Sequence, residues 1–206
     1  MPQSRRYKKK KSAGKAILAW IIVLAILAAG VFVFVSVFYE DAKKKLDEMN
    51  YPRTYSTYVE KAAKDYDLDP ALIYAVIHTE SGFDPKAESG VGAKGVMQMM
   101  PSSFEWLQEQ RGCAGQYTED DLFDPEICID YGSYLLKYFY DYYGTERSAI
   151  AAYNAGFVVS DWLNDTNYRT NRKNLDSIPY PETENYVDKV ESAKEMYIKL
   201  YYSQSN

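Results

Sequence analysis

The stretch Asp69-Pro70-Ala71-Leu72-Ile73-Tyr74-Ala75-Val76-Ile77-His78-Thr79-Glu80-Ser81-Gly82 reads as one complete helix. Asp69 is a capping residue, Pro70 suits the first helical position, and Gly82 supplies a left-handed stop. Ile73, Val76, Ile77 and Glu80 are spaced i, i+3, i+4 and i+7, so they share one face. The fourth of these is an acid where the pattern asks for a hydrophobe. A carboxylate on an apolar stripe loses hydration, and at a helix C-terminus it also meets the negative end of the dipole. Both effects raise its pKa towards a group that holds a proton near neutral pH and can give it away, as a general acid must. For this helix taken alone, a Glu at a fraying end that points to water is the plainer alternative.

Outward from that helix the pattern stays helical. Helices are predicted over about 56–66, a short one from near Pro101 with Phe104, Trp106 and Leu107, and a long one opened by Asp124-Pro125 and running to about Tyr143. Others follow over about 146–154, 157–163 and 183–202, with polar loop over 164–181. In the long helix Ile127, Tyr131, Tyr134, Leu135 and Tyr138 share a face. The chain has 21 Tyr, and the run with Tyr138, Tyr140, Tyr142 and Tyr143 reads first as core packing or a surface cluster, although aromatic faces also stack on sugar rings. No convincing strand alternation is present, so the class is mainly α.

The N-terminus sets the compartment. Residues 16–38 are an uncharged apolar run long enough to cross a bilayer. Seven basic residues and no acid stand before it, which predicts a cytoplasmic N-terminus, with everything after Phe38 extracytoplasmic. A cleaved signal peptide is the competing reading. The long apolar core and the lack of a small-x-small site around Val35–Tyr39 favour a retained anchor. The expected organisation is therefore a basic tail over 1–15, a transmembrane helix over 16–38, a charged stalk over 39–55 broken at Pro52, and one globular domain over 56–206. Of the chain's 24 basic and 29 acidic residues, the part beyond the span keeps 17 basic against all 29 acidic. That balance argues against nucleic acid as a ligand and suits a neutral or mixed polymer such as a sugar chain.

Cys113 and Cys128 would lie outside the reducing cytosol. A disulfide closing their loop is one reading and two free buried thiols the other, and spacing does not choose. One His and no paired ligand spacing argue against a metal, and nothing calls for a cofactor. His78 lies two positions from Glu80 and so faces away from it on a helix.

Three more segments carry candidate chemistry. Gly90-Val91-Gly92-Ala93-Lys94-Gly95-Val96-Met97-Gln98-Met99-Met100-Pro101 is a glycine-rich loop whose backbone can approach a ligand, with Gln98 suited to sugar hydroxyl or acetamido groups. Alone, it is equally a common loop with core methionines. Ala151-Ala152-Tyr153-Asn154-Ala155-Gly156 places Tyr and Asn at a helix end, which is otherwise an ordinary C-cap. Ile178-Pro179-Tyr180-Pro181-Glu182-Thr183-Glu184-Asn185-Tyr186-Val187 puts a carboxylate at the start of the last helix, where dipole complementation is the ordinary role.

In this order, Glu80-Ser81, the run Ser89 to Pro101, Tyr153-Asn154-Ala155-Gly156 and Glu182-Thr183 with Tyr186-Val187 resemble the Slt-type lytic transglycosylases, a lysozyme-like family that cleaves peptidoglycan. The likeness covers roughly 55–201. It implies Glu80 as the single catalytic acid/base, Ser89 as the serine hydrogen-bonded to that carboxyl, and Gln98 and Met100 as sugar-groove residues. It further implies Tyr153 with its hydroxyl near the carboxyl, Asn154 supporting that wall, and Glu182 contributing to the groove. Val96 stands where the family usually has Leu, a change of small volume. Cys128 stands where many members have Asn, which fits a pairing with Cys113.

The resemblance implies cleavage between N-acetylmuramic acid and N-acetylglucosamine, with closure of a 1,6-anhydro ring and no second carboxylate. A hydrolytic muramidase using Glu182 as that second carboxylate, a groove that binds glycan without cutting it, and a wall-opening part of a secretion or conjugation assembly are the alternatives. The expected partners are peptidoglycan strands and the cytoplasmic membrane, with cell-envelope machinery in the last case.

Overall fold

The computed structural model describes residues 4–169 and 175–203, which form two units, Met1–Asn50 and Tyr51–Asn206. Residues 170–174 of the expected polar loop, the first three of the basic tail and the last three of the chain lie outside the described residues.

The first unit is one helix, α1 (Ser4–Asn50). It carries the apolar run and the charged segment after it without a break, and it stops before Pro52, whose ring disfavours helical geometry at the preceding residue. The apolar run is uncovered, and within this helix Gly14–Asn50 is long and apolar enough to cross a membrane.

The second unit contains α2 (Ser56–Tyr66), α3 (Pro70–Ser81), α4 (Pro101–Gln110), α5 (Pro125–Tyr143), α6 (Glu146–Ala155), α7 (Val159–Asn164) and α8 (Pro181–Tyr197). Short 3-10 turns at Glu119–Phe123 and Gly156–Val158 and a π turn at Ile198–Tyr202 complete it. Among the described residues there is no strand, only isolated bridges such as Lys94 with Met99. The class is mainly α, as the sequence predicts. The helix ends follow local chemistry: the Asp69 carboxylate accepts from Ala71 N at 2.9 Å, and Asp124 does the same for Glu126 N at 2.9 Å. Gly82 and Gly144 close their helices at φ of +59° and +77°.

Five helices pack in a closed circuit, α3 on α8, α8 on α6, α6 on α5, α5 on α2 and α2 back on α3. Here α3 departs from the one-faced reading. Every residue from Ala71 to Ile77 is buried, so the helix is apolar all round and forms the centre of the core. Beyond Ile77, His78, Thr79 and Glu80 return to partial exposure. The two ends of the unit are fastened together: the Tyr197 hydroxyl donates to Pro52 O at 3.1 Å and the Tyr201 hydroxyl to Tyr51 O at 2.8 Å.

Candidate active site

Glu80 occupies the last turn of α3, where the buried helix gives way to the surface. Its Oε1 accepts a hydrogen bond from the Tyr186 hydroxyl on α8 at 2.7 Å. Burial pushes the Glu80 carboxyl up to about 7 from an ordinary 4.5, and the Tyr186 bond pulls the other way by favouring the charged form. A carboxyl in that range is shared between acid and base near neutrality, which suits a group that must give a proton and take one back. The Tyr186 and Tyr153 hydroxyls are both pushed well above the usual tyrosine range, first by burial and then by the nearby Glu80 charge, so both stay protonated donors.

The wall beside Glu80 is the loop after α3, held from several sides. The Ser81 hydroxyl donates to Val96 O at 2.8 Å and accepts from Phe83 N at 3.1 Å, tying the loop to the end of α3. The Tyr153 hydroxyl on α6 donates to Met97 O at 2.9 Å, and Met97 N donates to Cys128 Sγ on α5 at 3.4 Å. Gly95, at φ +75°, lies so close to α5 and the turn before it that a Cβ would stand 1.9 Å from Leu122 O and 2.9 Å from Cys128 Sγ. The glycine that sequence reading offered for approach to a ligand is thus needed for approach of the loop to the protein's own backbone.

The remaining predicted residues divide. Tyr153 is close enough to Glu80 to feel its charge, while its hydroxyl donates to Met97 O. Asn154 Oδ1 accepts from the Thr183 hydroxyl at 2.8 Å, joining the end of α6 to the start of α8. Asn154, Thr183 and Glu182 share a cleft of about 390 Å³, with Glu182 exposed. Met100 is exposed at the start of α4, whereas Met97 and Met99 are core. Gln98 departs from the expectation: its amide NH₂ donates to Ala87 O and Gly95 O, each at 3.0 Å, and its backbone sits at φ +46°. The amide therefore braces the loop, and only its carbonyl oxygen is left for a ligand.

Ser89 also turns inward on its own loop. Its Oγ accepts from Ala93 N at 2.9 Å and Val91 N at 3.4 Å, and among the described residues no bond joins it to Glu80. Of the two readings of the cysteines, the disulfide is not formed, and both thiols are free. Cys128 is fully buried beneath Met97, while the Cys113 sulfur meets the Tyr131 hydroxyl at 3.3 Å, so the two thiols serve different neighbourhoods. His78 stacks on Tyr51 at 4.8 Å between ring centroids and stays apart from the Glu80 carboxyl's hydrogen bond. A separate pocket of about 350 Å³ between α2 and α5 includes none of the predicted site residues. The residue that sequence reading left out of the site is Tyr186. The Tyr186-Val187 pair was among the residues that carried the resemblance, but no role was attached to the Tyr186 hydroxyl.

Residues 57–175 match the family described as the transglycosylase SLT domain. The chain belongs to this family. The chain is 32% identical over 146 residues to the soluble lytic murein transglycosylase of Escherichia coli K12, an alignment covering 69% of this chain and 23% of that protein. It is 32% identical over 170 residues to membrane-bound lytic murein transglycosylase C of Actinobacillus succinogenes, covering 72% of this chain and 48% of the relative. In structure it resembles the lytic transglycosylase Slt of Pseudomonas aeruginosa, solved as an inactive glutamate-to-glutamine mutant, with a TM-score of 0.65 and 31% identity over 74% of this chain and 25% of that one. The SLT domain thus shares the lysozyme-like Slt fold, while the chain spans a quarter to a half of these relatives' length.

Proposed function

We propose that the chain is a membrane-anchored lytic transglycosylase that cleaves the β-1,4 bond between N-acetylmuramic acid and N-acetylglucosamine in peptidoglycan. The observation that carries this reading is the Glu80 carboxyl, raised to about 7 by burial and engaged by Tyr186. Protonated Glu80 gives its proton to the glycosidic oxygen as the bond from the muramyl anomeric carbon to that oxygen breaks. The carboxylate then takes the proton of the muramyl C6 hydroxyl, whose oxygen bonds to the anomeric carbon and closes a 1,6-anhydro ring. Glu80 ends as it began, and no water is consumed. The internal hydroxyl is already at high effective concentration, which removes the need for the second carboxylate of ordinary glycosidases. Tyr186 holds the carboxyl in place, Tyr153 fixes the Met97 wall, and Asn154, Met100, Ser89, Gln98 and Glu182 border the strand, the last four by position or loop shape.

The relatives named as lytic murein transglycosylases support the substrate class, and one of them is named as membrane-bound. The apolar part of α1 is the anchor in this reading, and its basic leading flank sets a cytoplasmic N-terminus with the SLT domain outside. Residues 39–50 are helical, so this stalk adds about 18 Å, less than an extended chain would, and restricts cutting to wall near the membrane.

Mass spectrometry of sacculi digested by the full chain tests the proposal. Products one water lighter than reducing muropeptides are expected, and Glu80→Gln should release none. Reducing ends would instead assign hydrolysis with Glu182 as partner, and undiminished release by the Gln variant would overturn the role of Glu80.

A further inference from the structure

The surface also carries a cluster of aromatic rings packed mostly edge to face. Phe157 follows Asn154 by three residues and is 48% exposed, and Tyr142 on α5 is 59% exposed. Their ring centroids lie 5.8 Å apart. Trp106 on α4 meets Tyr138 at 5.0 Å and Phe157 at 6.3 Å, and Tyr138 stacks on Tyr142 at 6.3 Å. Four rings from three separate elements therefore make one patch. It is backed by the core: Phe139, buried, lies 5.3 Å from the Phe157 ring, and the Tyr143 hydroxyl reaches Phe157 O at 3.5 Å. Rings held from beneath are presented to a ligand with little entropy left to lose. Helical spacing accounts for Tyr138 and Phe139 as packing residues, but it does not account for two large exposed rings meeting across different elements.

The patch is joined through the chain to candidate walls of the site at two points. Trp106 is carried by the helix that Met100 and Pro101 begin, and Phe157 by the turn that directly follows Tyr153-Asn154-Ala155. We infer that Trp106, Tyr138, Tyr142 and Phe157 form a distal glycan subsite, which stacks N-acetylated sugar rings of the same strand whose linkage lies at Glu80. This inference rests on the reading of the SLT domain as a glycan-cleaving enzyme. A pyranose offers a flat face of C–H bonds and a rim of hydroxyls, and it matches rings whose faces are apolar and whose Tyr edges are polar. An anionic lipid surface is a poorer occupant, because the chain beyond the span has 17 basic residues against 29 acidic.

The test uses the full chain in neutral detergent and compares kcat/KM on long glycan strands with that on a tetrasaccharide. In the Tyr142→Ala/Phe157→Ala double variant the long-to-short ratio should fall roughly tenfold, through KM on the long strands, as two exposed rings are lost. Tyr142→Phe/Phe157→Tyr, which keeps both rings, should restore the ratio. An unchanged ratio in the Ala variant overturns the subsite, as does an equal loss on both lengths with a lowered Tm, which would mark the rings as packing only. A changed oligomeric state in sedimentation with the ratio intact would assign the patch to a second copy of the chain. If the wild type cleaves neither substrate, the Glu80 reading fails and the subsite falls with it, whereas an active wild type with an insensitive ratio fails the subsite alone.

Discussion

Glu80 and Glu182 are both glutamates at helix ends, and their surroundings differ sharply. Glu80 ends α3, the most deeply buried helix, and its carboxyl is raised to about 7 with a tyrosine bonded to it. Glu182 opens α8, is exposed in the Asn154 cleft, and stands at the positive end of a helix dipole. The same side chain is desolvated in one place and exposed to solvent in the other. Residue type does not separate them; their opposite helix ends and, above all, desolvation by the surrounding fold do.

That contrast can be broken in several ways, and the first carries the largest effect. Glu80→Gln should lower turnover of sacculi about a thousandfold, since it removes a general acid and base at once, and product release over time checks it. A second test needs no substrate. Between about pH 4.5 and 7 the folded chain keeps the Glu80 proton that the unfolded chain has lost, so the folded state binds more protons and its stability falls as pH rises through that window. This contribution, full below the unfolded pKa and gone above the folded one, is at most about 3 kcal/mol. Denaturant melts across the range should show Glu80→Gln gaining on the wild type as pH rises to 7, and a gap that does not change with pH would refute the raised pKa.

Tyr186→Phe is the next smaller step. It removes the bond that favours the carboxylate, so the alkaline limb of the pH–rate profile should move above 7 while kcat drops about tenfold. A limb moving to lower pH would reverse the assigned sign. Smallest of all, Glu182→Gln should raise KM a few-fold at most and leave the pH profile in place. A loss comparable to that of Glu80→Gln would erase the distinction between the two carboxylates.

Local signals were legible at the helix ends. Asp69-Pro70 with Gly82, and Asp124-Pro125 with Gly144, start and stop α3 and α5 where their residue types direct, because caps and stops act within a turn. Glu80 itself was legible as an acid out of pattern, although the reason proved stronger than a stripe: α3 is buried on all sides. The predicted partners fared unevenly, and the reason is range. Ser89 and Gln98 were expected to face a ligand or the carboxyl, yet both satisfy nearby backbone groups of their own loop, a competition that residue type does not reveal. Tyr186, the actual partner, lies 106 residues from Glu80; the Tyr186-Val187 pair helped carry the resemblance, but nothing local said where its hydroxyl would bond.

The sequence by itself determined where helices begin and end, that an apolar run long enough for a bilayer leads the chain, and that one acid interrupts an apolar helix. Those properties follow from backbone preferences and hydrophobic spacing over a few residues. The tertiary structure alone decided that Glu80 is desolvated and paired with Tyr186, that Cys113 and Cys128 remain separate thiols, and that Gly95 cannot carry a side chain against Leu122. Each of these depends on atoms brought together from distant parts of the chain, and proximity of that kind is created only when the helices pack.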